Sequence, residues 1–101
     1  MRSLPQPIKF DWDEGNISKN LIKHSVTVQE AEEVFSNELL TLLDDNMHSV
    51  GETRFHAFGK TKSGRKLFAA FTIRNNKVRI ISIRDMKRKE RLNYEKLETD
   101  S

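Results

Sequence analysis

Apolar and polar residues follow two periods in the first part of the chain. Residues 8–13 alternate with period two, which is typical of a half-buried strand. Asp13 is placed to cap a helix that runs to about His24. Thr27 and Glu30 have the spacing of a capping box at the start of a second short helix. One strand and two helices are therefore predicted before most of the sheet.

The second part of the chain has the pattern of strands joined by tight turns. Strands are predicted at 39–43, 54–60, 66–74 and 78–83, with a polar loop at 44–51. Turns at 62–64 and at Asn75-Asn76 favour two hairpins. The last two strands are apolar on both alternating sets, so we expect them to be central and covered on two faces. A helix over 86–97 completes an α+β fold with an antiparallel sheet, in the order β-α-α-β-β-β-β-α.

Length and composition indicate one small domain. Residues 1–7 contain both prolines and are predicted to form a flexible leader, and residues 8–101 to form a single domain. Residues 60–96 carry thirteen Lys or Arg against three acidic residues, so this half could face a polyanion. The absence of cysteine excludes disulfides, thiolate nucleophiles and sulfur-based zinc sites. No apolar run is long enough for a membrane span and no signal-peptide core is present, so we expect a cytoplasmic protein without membrane contact.

The densest cluster of candidate functional residues is basic. We expect one helical face to hold Arg84, Lys87, Arg88 and Arg91, and a different sector, with Met86, Tyr94 and Leu97, to dock on the sheet. Guanidinium groups bind phosphate in a bidentate fork and can stabilise charge in a phosphoryl transition state. The alternatives are a solvated face balanced by nearby glutamates, or a surface for an acidic protein partner.

Arg79 and His56 are candidates within the predicted strands. Arg79 alternates with Ile81 and Ile83, so we expect it to reach the rim of the sheet or to have a partner, which leaves structural pairing and phosphate contact both open. His56 alternates with Arg54 and could point into the same groove. His24 is expected to satisfy helix-terminal carbonyls, and His48 lies in the polar loop.

Acidic residues raise the alternative of a two-metal nuclease, since carboxylates hold magnesium. The candidates are Asp11, Asp13, Asp44, Asp45 and Glu52. Nothing in their spacing makes them converge, and a helix cap and a turn explain Asp13 and Asp44-Asp45 better. We therefore expect no metal and no cofactor.

An ordered set of short segments resembles the BrnT toxins of bacterial type II toxin–antitoxin systems. The segments are Phe10-Asp11-Trp12-Asp13, Asn20-Leu21-Ile22-Lys23-His24, Glu30-Ala31, Val34-Phe35, His48-Ser49, Gly51-Glu52, Arg54-Phe55, Arg79-Ile80-Ile81-Ser82-Ile83-Arg84, Arg88-Lys89-Glu90-Arg91 and Tyr94-Glu95. The resemblance implies a RelE-like antiparallel sheet and RNA cleavage that inhibits translation. It also implies a BrnA-like antitoxin that wraps the toxin in a hetero-oligomer and alone contacts operator DNA.

Two positions depart from the pattern that the resemblance implies. Ser25 stands where the family usually has glycine, so a left-handed helix end would be strained there. Lys87 stands where the family tends to have a capping threonine, which makes Asp85 the substitute cap candidate for the last helix.

Residues and resemblance together point to a metal-independent endoribonuclease in which a ribose 2′-hydroxyl attacks the adjacent phosphate. The candidate catalytic residues are Arg79, Arg84, His56 and Glu52, and the candidate RNA-binding residues are Lys87, Arg88, Arg91 and Arg54. His56 and Glu52 are the candidates for proton transfer. The alternative is a non-catalytic RNA- or protein-binding module that uses the same basic face.

Overall fold

Helices and strands form largely where local sequence signals predict them. The computed structural model describes residues 4–100. Its elements are, in chain order, α1 (Glu14–His24), α2 (Val28–Ser36), β1 (Thr41–Asp45), β2 (Arg54–Lys60), β3 (Lys66–Arg74), β4 (Lys77–Asp85) and α3 (Arg88–Asp100). Asp13 and Thr27 cap α1 and α2, each in a reciprocal capping box. The predicted α+β class and antiparallel sheet are confirmed, in the order α-α-β-β-β-β-α.

The predicted N-terminal strand is reduced to a single parallel bridge between Phe10 and Val78. The amide of Asp11 donates to the Val78 carbonyl and the amide of Val78 donates to the Lys9 carbonyl, both at 2.8 Å. The pairing cannot continue because Asp13 already caps α1. Of the predicted leader, residues 1–3 lie outside the described residues, and Leu4 is buried in the core.

The sheet has the order β1-β2-β3-β4, so β3 is central as expected, whereas β4 lies at an edge. The prediction of a central β4 is wrong because its outer side is covered by the single bridge at Phe10 and, beyond it, by α1 rather than by a full strand. Two buried amides of α1 make this possible. Asn16 Nδ2 donates to the Ile80 carbonyl at 3.2 Å, and Asn20 Oδ1 accepts from the Ile83 amide at 3.0 Å. The edge of β4 is thereby protected from pairing with another chain.

A β-bulge at Ile81 changes which residues of β4 face the core. Ala70 pairs with Ser82, but the next residue, Phe71, pairs with Ile80, so Ile81 has no residue opposite it. Ile80 and Ile83 therefore both lie in the core. The expectation that Arg79, Ile81 and Ile83 share one face is wrong, because the extra residue places Arg79 on the face opposite to that of Ile83. Arg79, Ser82 and Arg84 instead share the opposite face, each beside a β3 residue of that face.

The hydrophobic core lies between the sheet and the first two helices. It is built from Val26, Ala31, Val34, Phe35, Ala57, Leu67, Ala69, Phe71, Val78, Ile80 and Ile83, with Leu4. On the opposite face α3 lies over one end of the sheet. Tyr94 and Met86 are buried there, and salt bridges join Lys60 to Glu98 and Lys66 to Glu95. We call the remaining part of this second face, around Arg54 and His56, the open face.

The structure shows how two helix ends are formed at the positions where the sequence departs from the family pattern. Ser25 adopts the left-handed conformation (φ 54°, ψ 37°) without a glycine, at a cost of about 1 kcal/mol. Asp85 does not cap α3, because its carboxylate binds Arg65 at 2.8 and 3.0 Å. Instead Glu90 reaches back to accept from the Lys87 amide at 2.7 Å. The prediction of Asp85 as the cap is therefore wrong.

Within residues 4–100 no helix combines the length and the apolar character required to cross a bilayer.

Candidate functional site

The open face carries a row of polar side chains across all four strands. Asp45, Arg54, Thr72 and Arg79 pair directly with one another in this order from β1 to β4. Beside the row lies a cleft of about 750 Å³, bounded by the start of α1. The charged residues lining the cleft are four cations, Lys19, Arg54, Arg74 and Arg79, and three acids, Asp13, Glu14 and Glu52. Cations are therefore in excess where a phosphate could enter.

Arg79 is held at the start of α1 by two carboxylates. Its Nη2 donates to Asp13 Oδ2 at 2.7 Å, and its Nη1 lies 3.5 Å from Asp11 Oδ1. The backbone hydrogen bond from Asn16, together with the bond from Arg79, lowers the pKa of Asp13 below its usual value. Asp13 thus serves both as the helix cap and as the partner of Arg79, which fixes the guanidinium at the rim of the cleft.

Glu52 and Arg74 form a second ion pair on the wall of the cleft. Arg74 donates from Nε and Nη2 to the two oxygens of Glu52, both at 3.0 Å. These hydrogen bonds, with the charges of Arg74, Arg54 and Arg79, lower the pKa of Glu52 despite its partial burial. Glu52 is therefore ionised at neutral pH and is a weak proton acceptor.

Arg54 extends into the same cleft from β2. Its Nε is buried, and no described residue accepts a hydrogen bond from it. A buried guanidinium nitrogen without an acceptor is unfavourable, so an anionic ligand that reached it would be bound more strongly.

His56 lies one row further along the open face, between strand partners Leu43 and Ala70. Its Nε2 is 3.0 Å from Asp45 Oδ2, and its ring meets the Phe68 ring edge-on at a centroid distance of 4.8 Å. The imidazole is thus held in one orientation while 29% of the side chain remains exposed.

Sequence reasoning considered Asp45 only as a metal ligand or a turn residue, and it left His48 out of the candidate site. Asp45 is buried, and its second histidine neighbour is His48, whose Nδ1 lies 3.0 Å from Asp45 Oδ2. Burial tends to raise the pKa of Asp45, but the hydrogen bonds from His48 and the charges of both histidines lower it below its usual value. The signal in the sequence was that Asp45 stands at the end of β1. The interpretation of this residue as part of a turn concealed it.

Arg84 lies apart from the cleft, where α3 begins. It belongs to β4, so the predicted helical face shared with Lys87, Arg88 and Arg91 is wrong. Its guanidinium lies over the Phe68 ring, 4.3 Å from the centroid, and donates to both oxygens of Glu90. The other three cations are exposed at the start of α3.

The predicted site residues thus form two groups. Glu52, Arg54 and Arg79 line the cleft, and His56 lies one row away from Arg54 on the open face. Arg84, Lys87, Arg88 and Arg91 lie near the start of α3. The acidic residues considered as metal ligands are distributed among the ion pairs and hydrogen bonds described above. Within residues 4–100, no group of three or more His, Cys, Asp or Glu side chains has an arrangement that could hold a metal ion.

Comparison with known proteins identifies the family of the chain. No curated protein matches it. The family described as the ribonuclease toxin BrnT of type II toxin–antitoxin systems matches residues 12–90, which include both α1 and the open face. A ribonuclease toxin of this type acts on RNA and has a protein antitoxin as its partner. The chain therefore belongs to the BrnT family of ribonuclease toxins.

Proposed function

We propose that the protein is a metal-independent endoribonuclease that cleaves RNA at the open face and thereby inhibits translation in the cytoplasm. A BrnA-like antitoxin neutralises it in a hetero-oligomer and alone carries the contact with operator DNA. The observation that carries the enzymatic part is a cleft lined by Arg54 and Arg79, with an oriented, partly exposed imidazole, His56, one row away from Arg54 on the same face of the sheet.

Phosphate binding falls to Arg54 and Arg79 in this proposal. Both guanidinium groups line the cleft, and the buried Nε of Arg54 has no acceptor among the described residues. Arg79 is held by Asp11 and Asp13 in the free protein, so a phosphate would compete with these carboxylates for it. Two arginines around one phosphate would stabilise the charge that accumulates as the new bond forms.

Proton transfer falls to His56. Imidazole accepts and donates protons near neutral pH, and the contact with Asp45 leaves one ring nitrogen of His56 directed elsewhere. Glu52 is the poorer candidate, since its pKa is lowered and both oxygens bind Arg74. We assign Glu52 the role of holding Arg74 at the wall of the cleft.

The second group of cations would extend the RNA-binding surface. Lys87, Arg88 and Arg91 are exposed and would contact phosphates beyond the cleft, although Arg91 also donates from Nη1 to the Met86 carbonyl. Arg84 instead supports the start of α3 through Glu90. Such contacts position the chain of an RNA without reading its sequence.

The deciding experiment compares two oligonucleotides that differ by one oxygen atom. Purified protein should cleave an RNA in the presence of EDTA and leave a cyclic or 3′-phosphate on the 5′ fragment. Deoxyribose at the cut site alone should abolish cleavage and weaken binding only modestly, because the phosphate contacts persist. His56→Gln should lower the rate about 10²- to 10⁴-fold. His24→Gln, which removes an imidazole at the far end of α1, is the matched control and should not change it.

Three results would contradict the proposal. Cleavage of the deoxy-substituted strand would exclude the 2′-hydroxyl as nucleophile, and loss of activity in EDTA would show that a metal is required. Binding of RNA without cleavage would favour the binding-module alternative.

A further inference from the structure

Two histidines from different parts of the chain contact one buried carboxylate oxygen. His48 Nδ1 and His56 Nε2 each lie 3.0 Å from Asp45 Oδ2. His48 comes from the loop after β1 and His56 from β2, and Asp45 is only 7% exposed between them. The contacts engage one nitrogen of each ring, which leaves Nε2 of His48 and Nδ1 of His56 for other partners.

This arrangement exceeds what is needed to fold the loop. The Asp45 carboxylate already accepts from the His48 amide, and Ser49 Oγ donates to the Asp45 carbonyl and accepts from the Arg54 amide. These bonds close the loop onto the start of β2 without either imidazole ring. A buried carboxylate flanked by two imidazoles is overall neutral when one of the two rings is protonated. Only the carboxylate is buried, whereas 61% of the His48 side chain and 29% of the His56 side chain are exposed, so Asp45 holds both rings where a ligand can reach them.

Cleavage by a 2′-hydroxyl needs one group that accepts a proton and another that donates one. We propose that His48 and His56 are the two proton-transfer residues of this reaction, one as base and one as acid, and that Asp45 is the positioning residue that holds both rings. The inference rests on the ribonuclease function proposed above and names the second catalytic residue and its support.

The reaction is balanced in protons and electrons. The neutral histidine takes the proton of the 2′-hydroxyl as O2′ forms a bond to phosphorus. The bond from phosphorus to O5′ breaks, its electron pair stays on O5′, and the protonated histidine donates a proton to that oxygen. The products are a 2′,3′-cyclic phosphate and a 5′-hydroxyl. The two histidines have exchanged protonation states, and exchange with water restores them.

A substrate with sulfur in place of the bridging O5′ tests the division of roles. A thiolate leaves without protonation, so this RNA needs the base but not the acid. His48→Gln and His56→Gln should each slow cleavage of ordinary RNA about 10²- to 10⁴-fold in single-turnover assays. On the sulfur-containing RNA one of the two variants, and only one, should recover to near the wild-type rate. That variant lacks the acid, and the other lacks the base.

The positioning role of Asp45 has its own measurement. Asp45→Asn keeps the shape of the side chain but loses the charge that both rings face, so kcat should fall while KM for RNA changes little. Ser49→Ala is the matched control, because it loosens the same loop and leaves both rings and the carboxylate in place. Its cleavage of ordinary RNA should stay within a few-fold of the wild type. Binding of the uncleavable deoxy-substituted strand shows for every variant that the cleft persists.

The outcomes separate this inference from the proposed function. If wild-type protein cleaves RNA but His48→Gln does so equally well, His48 is not catalytic and the inference is wrong. Recovery of both variants on the sulfur-containing RNA, or of neither, would also overturn it. If Ser49→Ala is as slow as His48→Gln, the loop acts only as a support. If wild-type protein does not cleave RNA, the proposed function itself fails.

Discussion

Asn20 provides the sharpest test of how α1 is attached to the sheet. Its buried Oδ1 accepts from the Ile83 amide at 3.0 Å, and its Nδ2 donates to the Asn16 carbonyl at 2.7 Å. Asn20→Ala removes the side-chain acceptor of the Ile83 amide, two residues beyond the bulge. A buried amide without an acceptor costs about 1–3 kcal/mol. The higher helix propensity of alanine compared with asparagine offsets roughly 0.5 kcal/mol of this destabilisation.

The expected net loss is therefore about 1.5 kcal/mol in the free energy of unfolding. For a domain of this size such a loss lowers Tm by roughly 10 °C. Urea denaturation followed by circular dichroism measures it as a lower midpoint at an unchanged slope. Asn93→Ala, the same substitution at an exposed site of α3, is the control and should lie within about 0.5 kcal/mol of the wild type. A loss at Asn20 no larger than the control's would refute the reasoning that Asn20 secures the edge of β4.

Three further predictions concern other parts of the molecule. Arg65→Met should destabilise the protein by about 2 kcal/mol at pH 7, because Arg65 binds Glu30, Asp85 and two carbonyls at the end of α1. The backbone hydrogen bond from Thr27 and the bond from Arg65 lower the pKa of Glu30 below its usual 4.5, and the hydrogen bond from Arg65 lowers the pKa of Asp85 below its usual 3.8, so the folded protein binds fewer protons there. The part of the stabilisation that the two carboxylates supply is complete above about pH 4.5 and is lost as the pH falls through the lowered values, so the gap between the urea midpoints of variant and wild type should narrow as the pH falls below 3.8, and a constant gap would contradict the ion-pair account. Arg79→Ala should lower the cleavage rate about 10- to 100-fold, with partial recovery in Arg79→Lys, which keeps the charge without the fork; equal rates in all three proteins would show that Arg79 only anchors α1. Induced expression should arrest bacterial growth and co-expression of the antitoxin should restore it, whereas normal growth with abundant folded protein would count against the toxin function.

The local signals of the sequence determined most of the secondary structure. Capping boxes at Asp13 and Thr27 fixed where α1 and α2 begin, because a cap depends on residues three positions apart. Asn75 and Asn76 both adopt positive φ, 50° and 61°, as the predicted turn between β3 and β4 requires. The family pattern, carried by short ordered segments, was also readable without coordinates, and it covers most of the chain.

The tertiary structure alone decided which of these residues meet. Because of the bulge at Ile81, the residues of β4 before it lie on the opposite face from the one that simple alternation predicts. The hydrophobic pattern of the sequence does not reveal such a bulge, because a bulge depends on how two strands pair. The register of β1 against β2 placed Asp45 beside His56, although eleven positions separate them. Arg84 lies over Phe68 because the two residues pair directly across β3 and β4, and it binds Glu90 because α3 begins close to the end of β4. Local propensity sets where elements begin and end, whereas contacts between elements depend on register and packing, which the pattern of a single sequence does not contain.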